Sequence, residues 1–417
     1  MKLPKIVKDG ATLISGNVWG QAMAFVAYLV LARLYTPADF AVYNIFYSYI
    51  EVLIIVSTCK YELSIVVADH DREAAATARL ALRLNAAVSL VLLTVIAAIY
   101  LLTPARSHAL PAAIALLIPP MVFFCGTTRV YTSLFNRFTK FGQIALSEIV
   151  TSTAGIAAKI VAAFPALLHA VGLPLGTVVG KMAGNVNYLL RLQRLQLPRD
   201  ITREELRTAA RKHRNFPLYT MPKELLNSFS YNLPFLWMAL YFDKPEVGLF
   251  GLALTFTFRP VNIFNTAFEK LLYVRTAEKV RSQQSIRSDI GRFVLGVNAV
   301  ALPVFVLLFC FAEPIFTFLF SGRWTGIGYY VRCLLPWVYV MLTSTSISFL
   351  ANVFGTQRTE FLFYVALLLL RLASVVYGIV AHDFRGAVLL FALSGAVVSV
   401  VLLTWYLLQV RRYENHL

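Results

Sequence analysis

Apolar runs of about 20 residues recur along the whole chain, separated by short polar turns. A helix of that length crosses the hydrocarbon core of a bilayer. It also satisfies its own backbone donors and acceptors there, which a strand achieves only in a closed barrel. Barrel strands would read as short alternating segments, and no such alternation is present. The composition agrees: 59% of residues are hydrophobic and 14% charged, more apolar surface than a water-soluble core uses. The expected class is an all-α polytopic membrane protein. Three lysines precede the first run, which continues too far for a cleaved signal, so it is expected to remain as a span.

Twelve spans are expected, near 11–32, 41–67, 80–102, 109–134, 143–164, 168–190, 224–242, 247–273, 290–311, 329–354, 359–381 and 386–409. The start of the tenth is blurred by Gly326, Gly328 and Pro336. With both termini placed in the cytoplasm, the inner loops and tails hold about 23 Lys and Arg against about six outside, as the positive-inside rule requires. Hence the net charge of +17 reflects membrane topology, and nucleic acid is not expected as a partner.

The polar break LARLYTPADFAVYNIF (Leu31–Phe46) is nearly repeated as MALYFDKPEVGLFGLA (Met238–Ala253). Pro37 and Pro245 stop a helix, and Asp39 and Glu246 precede the next one near its positive end. Spans 1–2 thus correspond to spans 7–8. Two parallel six-helix lobes follow, related by a pseudo-two-fold axis along the membrane normal. Their expected limits are 1–190 and 223–417, with a basic cytoplasmic linker at 191–222.

Charges inside the spans mark candidate functional residues. Lys159, Lys181, Arg259 and Arg371 lie deep, as does Glu51. Each costs about 2.5–3.5 kcal/mol at a helix centre, so the default reading is a polar interior or a substrate site. Cations outnumber acids, which points to an anionic substrate group. Nearer the cytoplasmic face are Lys60, Glu62, Arg129, Glu148, Glu269 and Lys270. On one continuous second helix, Glu51, Thr58 and Glu62 would share a face, with Lys60 opposite and able to snorkel. Arg259 precedes Pro260, where a bend could serve as a gate. Gly172, Gly176, Gly180 and Gly184, four apart, form a stripe expected to be a close packing seam.

The longest polar interval lies between the halves. Thr202 and Glu205 fit a capping box that opens a short basic helix over about 203–214, attracted to anionic lipid heads. No P-loop, dinucleotide fingerprint or HExxH occurs, and Cys59, Cys125, Cys310 and Cys333 are irregularly spaced. Neither a cofactor, a metal nor enzymatic chemistry is expected.

Three stretches resemble bacterial polysaccharide flippases, within the multidrug/oligosaccharidyl-lipid/polysaccharide exporter superfamily. They are ARLYTPADFAVYNIF (Ala32–Phe46), KYELSIVVA (Lys60–Ala68) and RNFPLYTMPKELLNSFSYNLPFL (Arg214–Leu236). Ala41 departs from a common glycine, which Gly248 keeps in the second copy. The resemblance implies a transporter of the inner membrane with a cationic lumen, to which Lys60, Arg129, Lys159, Lys181, Arg259 and Arg371, singled out by their place in the spans, are expected to contribute. It implies an undecaprenyl-pyrophosphate-linked oligosaccharide as substrate, moved by alternating access to the outer leaflet for O-antigen, capsule or lipopolysaccharide assembly, with polysaccharide polymerase machinery as a partner. The alternative is a cation-coupled multidrug or small-molecule antiporter of the same fold. A glycan polymerase would instead need a large outer loop with paired catalytic groups, and the largest loop here is the inner one.

Overall fold

The computed structural model describes residues 26–103, 110–195, 197–198, 200–237, 240–320 and 322–415. Among them, a helix stands at every expected span. The first, α1, is described over 26–34, so residues 11–25 of that expected span lie outside the description. Then come α2 (Pro37–Ser57), α3 (Tyr61–Val67), α4 (Asp71–Leu102), α5 (Ile118–Arg137), α6 (Phe141–Ala162) and α7 (Gly172–Leu192). The linker holds α8 (Arg203–Lys212). After it follow α9 (Met221–Trp237), α10 (Lys244–Arg281), α11 (Arg287–Phe320), α12 (Ile327–Ser344), α13 (Gln357–Ala381) and α14 (Phe384–Glu414). Eight helices among the described residues are long and apolar enough to cross a membrane by themselves. The described part of α9 falls short in length, at 17 residues, and α7 and α12 fall short in apolarity, because they carry polar residues such as Asn185 and Arg332.

The chain forms two compact units. One comprises residues 1–35 and 42–236, the other 36–41 and 237–417. In the first, Tyr61, Ile65, Ala74, Ala78, Val130, Phe135 and Tyr188 make a core where α3, α4, α5 and α7 meet. Polar side chains bind these helices together. Asn85 on α4 donates to the carbonyl of Phe123 at 2.8 Å, and Asn185 on α7 to that of Phe124 at 2.9 Å. The two asparagines thus hold consecutive carbonyls of α5, an interhelical use of amides that hydrocarbon surroundings favour. The glycine stripe is a seam. A Cβ on Gly180 would stand 2.6 Å from the Thr151 carbonyl oxygen and 2.8 Å from Gly155 Cα, so α6 and α7 touch backbone to backbone.

In the second unit aromatic rings fill the core. Trp337 meets Phe258 at 4.5 Å and Phe391 at 5.7 Å, and Phe250 contacts Phe384 and Phe391. The repeated turn explains itself locally. Thr36 and Asp39 cap α2 reciprocally, with the Asp39 carboxylate accepting from the Thr36 N–H at 2.8 Å and the Thr36 hydroxyl at 2.7 Å. Pro37 takes the first helical position, where its missing donor costs nothing. A Cβ on Gly248 would stand 2.6 Å from the Pro37 carbonyl carbon, so glycine in the second copy lets the first copy's turn approach.

The blurred start of the tenth span also has a cause. Gly326 has φ +93° and leads into α12. Glu313, on α11, accepts from the N–H groups of Gly326 at 2.6 Å and Gly328 at 2.7 Å. A remote carboxylate therefore supplies the cap that the local sequence lacks. Glu313→Ala is expected to destabilise the protein by about 1–2 kcal/mol, and Glu313→Gln by less. Thermal unfolding in detergent measures both.

The capping box of α8 is formed as expected: Thr202 accepts from Glu205 N–H at 3.3 Å, and Glu205 from Thr202 N–H at 2.7 Å. The helix ends at Lys212, and a π-helical turn, Phe216–Thr220, joins it to α9.

Candidate functional site

The expected continuity of the second span fails at one point, and that point gathers charge. Cys59 and Lys60 have φ of 49° and 61°, left-handed values that end α2 and start α3 in a new direction. The helical-wheel relation among Glu51, Thr58 and Glu62 does not survive this break. Instead Thr58 donates to the Glu62 carboxylate across the turn at 2.6 Å. Lys60 does not snorkel: it is buried. Its ammonium lies 3.9 Å from Glu62 and in direct contact with Glu224 of α9. Arg129 of α5 reaches the same Glu62 oxygen at 3.9 Å, and no hydrogen bond meets its buried Nη1 among the described residues.

Three of the expected residues, Lys60, Glu62 and Arg129, are thus brought together. Glu224 joins them, so this group holds two cations and two carboxylates rather than a surplus of positive charge. The burial of Glu62 makes the arrangement mutually dependent. A carboxylate removed from water needs its partners, and each cation needs it.

Lys159 occupies a different setting in the same unit. It is buried on α6, with its ammonium 4.9 Å from the centre of the Tyr43 ring and 3.5 Å from the Tyr43 hydroxyl. The Tyr35 hydroxyl donates to its backbone carbonyl at 2.6 Å. Gly176 on α7 leaves the space its stem fills, since a Cβ there would stand 2.7 Å from Lys159 N. The glycine stripe therefore serves the cation as well as the seam. Lys181 lies half-buried on α7, where its carbonyl accepts from Asn185. Glu51 is half-buried on α2, its carbonyl accepting from the Ser228 hydroxyl at 3.1 Å.

In the second unit Arg371 is buried between two rings, its guanidinium 4.8 Å from the centre of Trp337 and 4.6 Å from that of Phe391. Ring faces attract a cation electrostatically. Arg259 is half-buried on α10. The helix runs on through Pro260 from Lys244 to Arg281, and the residue with non-helical torsions in this unit's long helices is Phe311, three before Pro314 on α11. Glu269 is half-buried on α10, in the second unit.

Sequence reasoning missed Glu224 and the aromatic partners Tyr43, Trp337 and Phe391. An aromatic residue in an apolar run carries no mark of the cation it will face. Glu224 did carry a signal, an acid near the start of a span. Among the described residues no cluster of His, Cys, Asp and Glu is suited to a metal.

A family model described as "Polysaccharide biosynthesis protein" matches residues 30–328. No curated protein matches the chain. Among solved structures, the chain is similar to an inward-facing multidrug resistance MATE family transporter of the MOP superfamily, at 14% identity and TM-score 0.67, over 95% of this chain and 96% of that one. It is also similar to the lipid II flippase MurJ in an inward closed conformation, at 12% identity and TM-score 0.70, over 95% and 89% of the two chains. A third is a MOP superfamily transporter from Pyrococcus furiosus, at 14% identity and TM-score 0.54, over 98% and 96%. Such low identities speak for the fold and leave the cargo open. The fold is therefore the all-helical one of these transporters, and the chain is a multi-pass membrane protein that belongs to the polysaccharide biosynthesis protein family.

Proposed function

We propose that the protein is a flippase that carries an undecaprenyl-pyrophosphate-linked oligosaccharide from the cytoplasmic to the outer leaflet of the inner membrane, for O-antigen, capsule or exopolysaccharide assembly. The observation that carries this reading is the seating of Lys159 and Arg371. Each is buried in a span and held against aromatic rings. Holding a cation there is expensive in hydrocarbon, and a phosphate-bearing headgroup is the cargo that would use it. Membership of a polysaccharide biosynthesis protein family supports an oligosaccharide as the rest of the cargo. Lys60, Arg129, Lys181 and Arg259 are proposed as further contacts with the anionic headgroup. Glu51, Glu62 and Pro260 are proposed to order or gate the path.

A second reading, a cation-coupled multidrug antiporter, is favoured by the likeness of fold to multidrug transporters alone. A cationic drug would be repelled by Lys159 and Arg371.

The test is reconstitution in liposomes with a labelled lipid-linked oligosaccharide from the protein's own host, followed by its accessibility from outside. Loss of one charge-assisted contact is worth about 1.5–3 kcal/mol, so Arg371→Ala and Arg259→Ala should each slow flipping roughly ten- to hundredfold. Equal incorporation of the variants into the liposomes is checked in parallel. Unchanged rates in both variants would overturn the cationic role, and drug movement without oligosaccharide movement would favour the antiporter.

A further inference from the structure

The helix α8 has two unlike sides. One is latched to the start of α4. Leu206 and Ala209 pack against Ala76 and Leu80, and the Tyr61 hydroxyl donates to the Ala210 carbonyl at 3.2 Å. Lys212 meets Asp69 at 2.6 Å and Glu73 at 2.8 Å, His213 meets Glu73 at 2.8 Å, and Arg72 is paired closely with Glu205. The hydrogen bond from Arg72, followed by the Thr202 N–H, holds the Glu205 carboxyl down to about 2, so the latch is ionised at any physiological pH.

The other side carries Arg203, Arg207 and Arg211, four residues apart and therefore in one stripe about 150° from the latched face. Arg214 follows just past the helix. All four are exposed, and no ion pair to them is formed among the described residues. Just past the helix, in the π-helical turn, Leu218 and Tyr219 are 59% and 71% exposed.

We propose that this face is a docking surface for the anionic phospholipid headgroups of the surrounding bilayer. The argument rests on charge and place. Four guanidiniums suit phosphates, which they can grip with two parallel hydrogen bonds. The stripe leads within ten residues into α9, a helix at an expected span, so the headgroup layer is the surface within its reach. Exposed Leu and Tyr beside a basic helix face are the composition of an interfacial anchor, the apolar groups entering the acyl boundary as the cations stay with the phosphates. An acidic protein surface would use the arginines but gives no reason for an adjoining Leu–Tyr pair. Because the opposite side grips Asp69, Glu73 and Arg72, lipid bound here would be coupled mechanically to the start of α4.

The experiment compares the full-length protein in nanodiscs of phosphatidylcholine with the same discs containing phosphatidylglycerol, by hydrogen exchange over residues 201–219. Phosphatidylglycerol is expected to slow exchange at least fivefold in this segment, and high salt to reverse it. The quadruple variant Arg203→Gln, Arg207→Gln, Arg211→Gln, Arg214→Gln should exchange as the wild type does in phosphatidylcholine, showing that the latch still holds, and should gain no protection from phosphatidylglycerol. Equal exchange of the wild type in both discs would overturn the proposal. So would equal protection by inorganic phosphate in phosphatidylcholine discs, which would mark a free-anion site. No transport is measured, so the result stands apart from the flippase reading.

Discussion

Glu62→Ala lowers the stability of the detergent-solubilised protein by about 3–5 kcal/mol, the cost of leaving a buried cation without its counter-charge. Glu62 is 3% exposed, accepts from Thr58, and is the carboxylate shared by Lys60 and Arg129. Its removal sets two cations near one another in a span, with only the half-exposed Glu224 to answer them. Glu224→Ala should cost far less, about 1 kcal/mol or below, because water already screens that carboxylate. Lys60 adds a backbone test. Its left-handed φ of 61° costs any side chain about 1–2 kcal/mol, which glycine is spared. Lys60→Gly should therefore be less harmful than Lys60→Ala, although both delete the same ammonium. A double-mutant cycle of Glu62 with Lys60, read from unfolding midpoints, measures the coupling directly. Coupling near zero would mean that the two charges do not stabilise each other.

Gly180→Leu is the second change of large effect. The clash is with backbone, the Thr151 carbonyl and Gly155 Cα, and backbone cannot rotate aside as a flexible side chain can. The helices α6 and α7 would have to separate, opening the seam along Gly155, Gly176 and Gly184. Overpacking of this kind costs about 3 kcal/mol or more, and Gly180→Ala about 1–3 kcal/mol. A glycine elsewhere provides the control. At Gly296, within α11, a Cβ would meet nothing within 4 Å. Gly296→Ala should stabilise by up to about 1 kcal/mol through the lower entropy of its unfolded chain. Thermal melts of the three variants decide the matter, and a Gly180→Leu protein as stable as Gly296→Ala would show that the seam is not closed.

Much of the fold is legible in the sequence because it rests on local quantities. Apolar run length placed the helices, and Thr202–Glu205 announced α8, whose capping bonds form as the spacing requires. The four-residue spacing of glycines on α7 marked a packing seam, and the structure supplied α6 as its partner. Where a long-range partner decides, local reading stops. A wheel drawn through Glu51, Thr58 and Glu62 assumed one helix, and nothing in STCKYEL shows that Cys59 and Lys60 turn left-handed. At that turn Lys60 and Glu62 meet Glu224 and Arg129, which lie 164 and 67 residues further along the chain. The blurred start of α12 is likewise resolved by Glu313, a residue outside that helix.

The sequence by itself determined the solvent of this protein, where its long apolar helices lie, and the residues whose charge is costly there, since hydrophobicity and spacing act within a few turns. Only the tertiary structure decided which charges answer one another. It set Lys60 and Arg129 against Glu62, placed Lys159 over Tyr43, and seated Arg371 between Trp337 and Phe391. A charge inside a membrane protein must find its partner across helices, and that distance is measured through space and not along the chain.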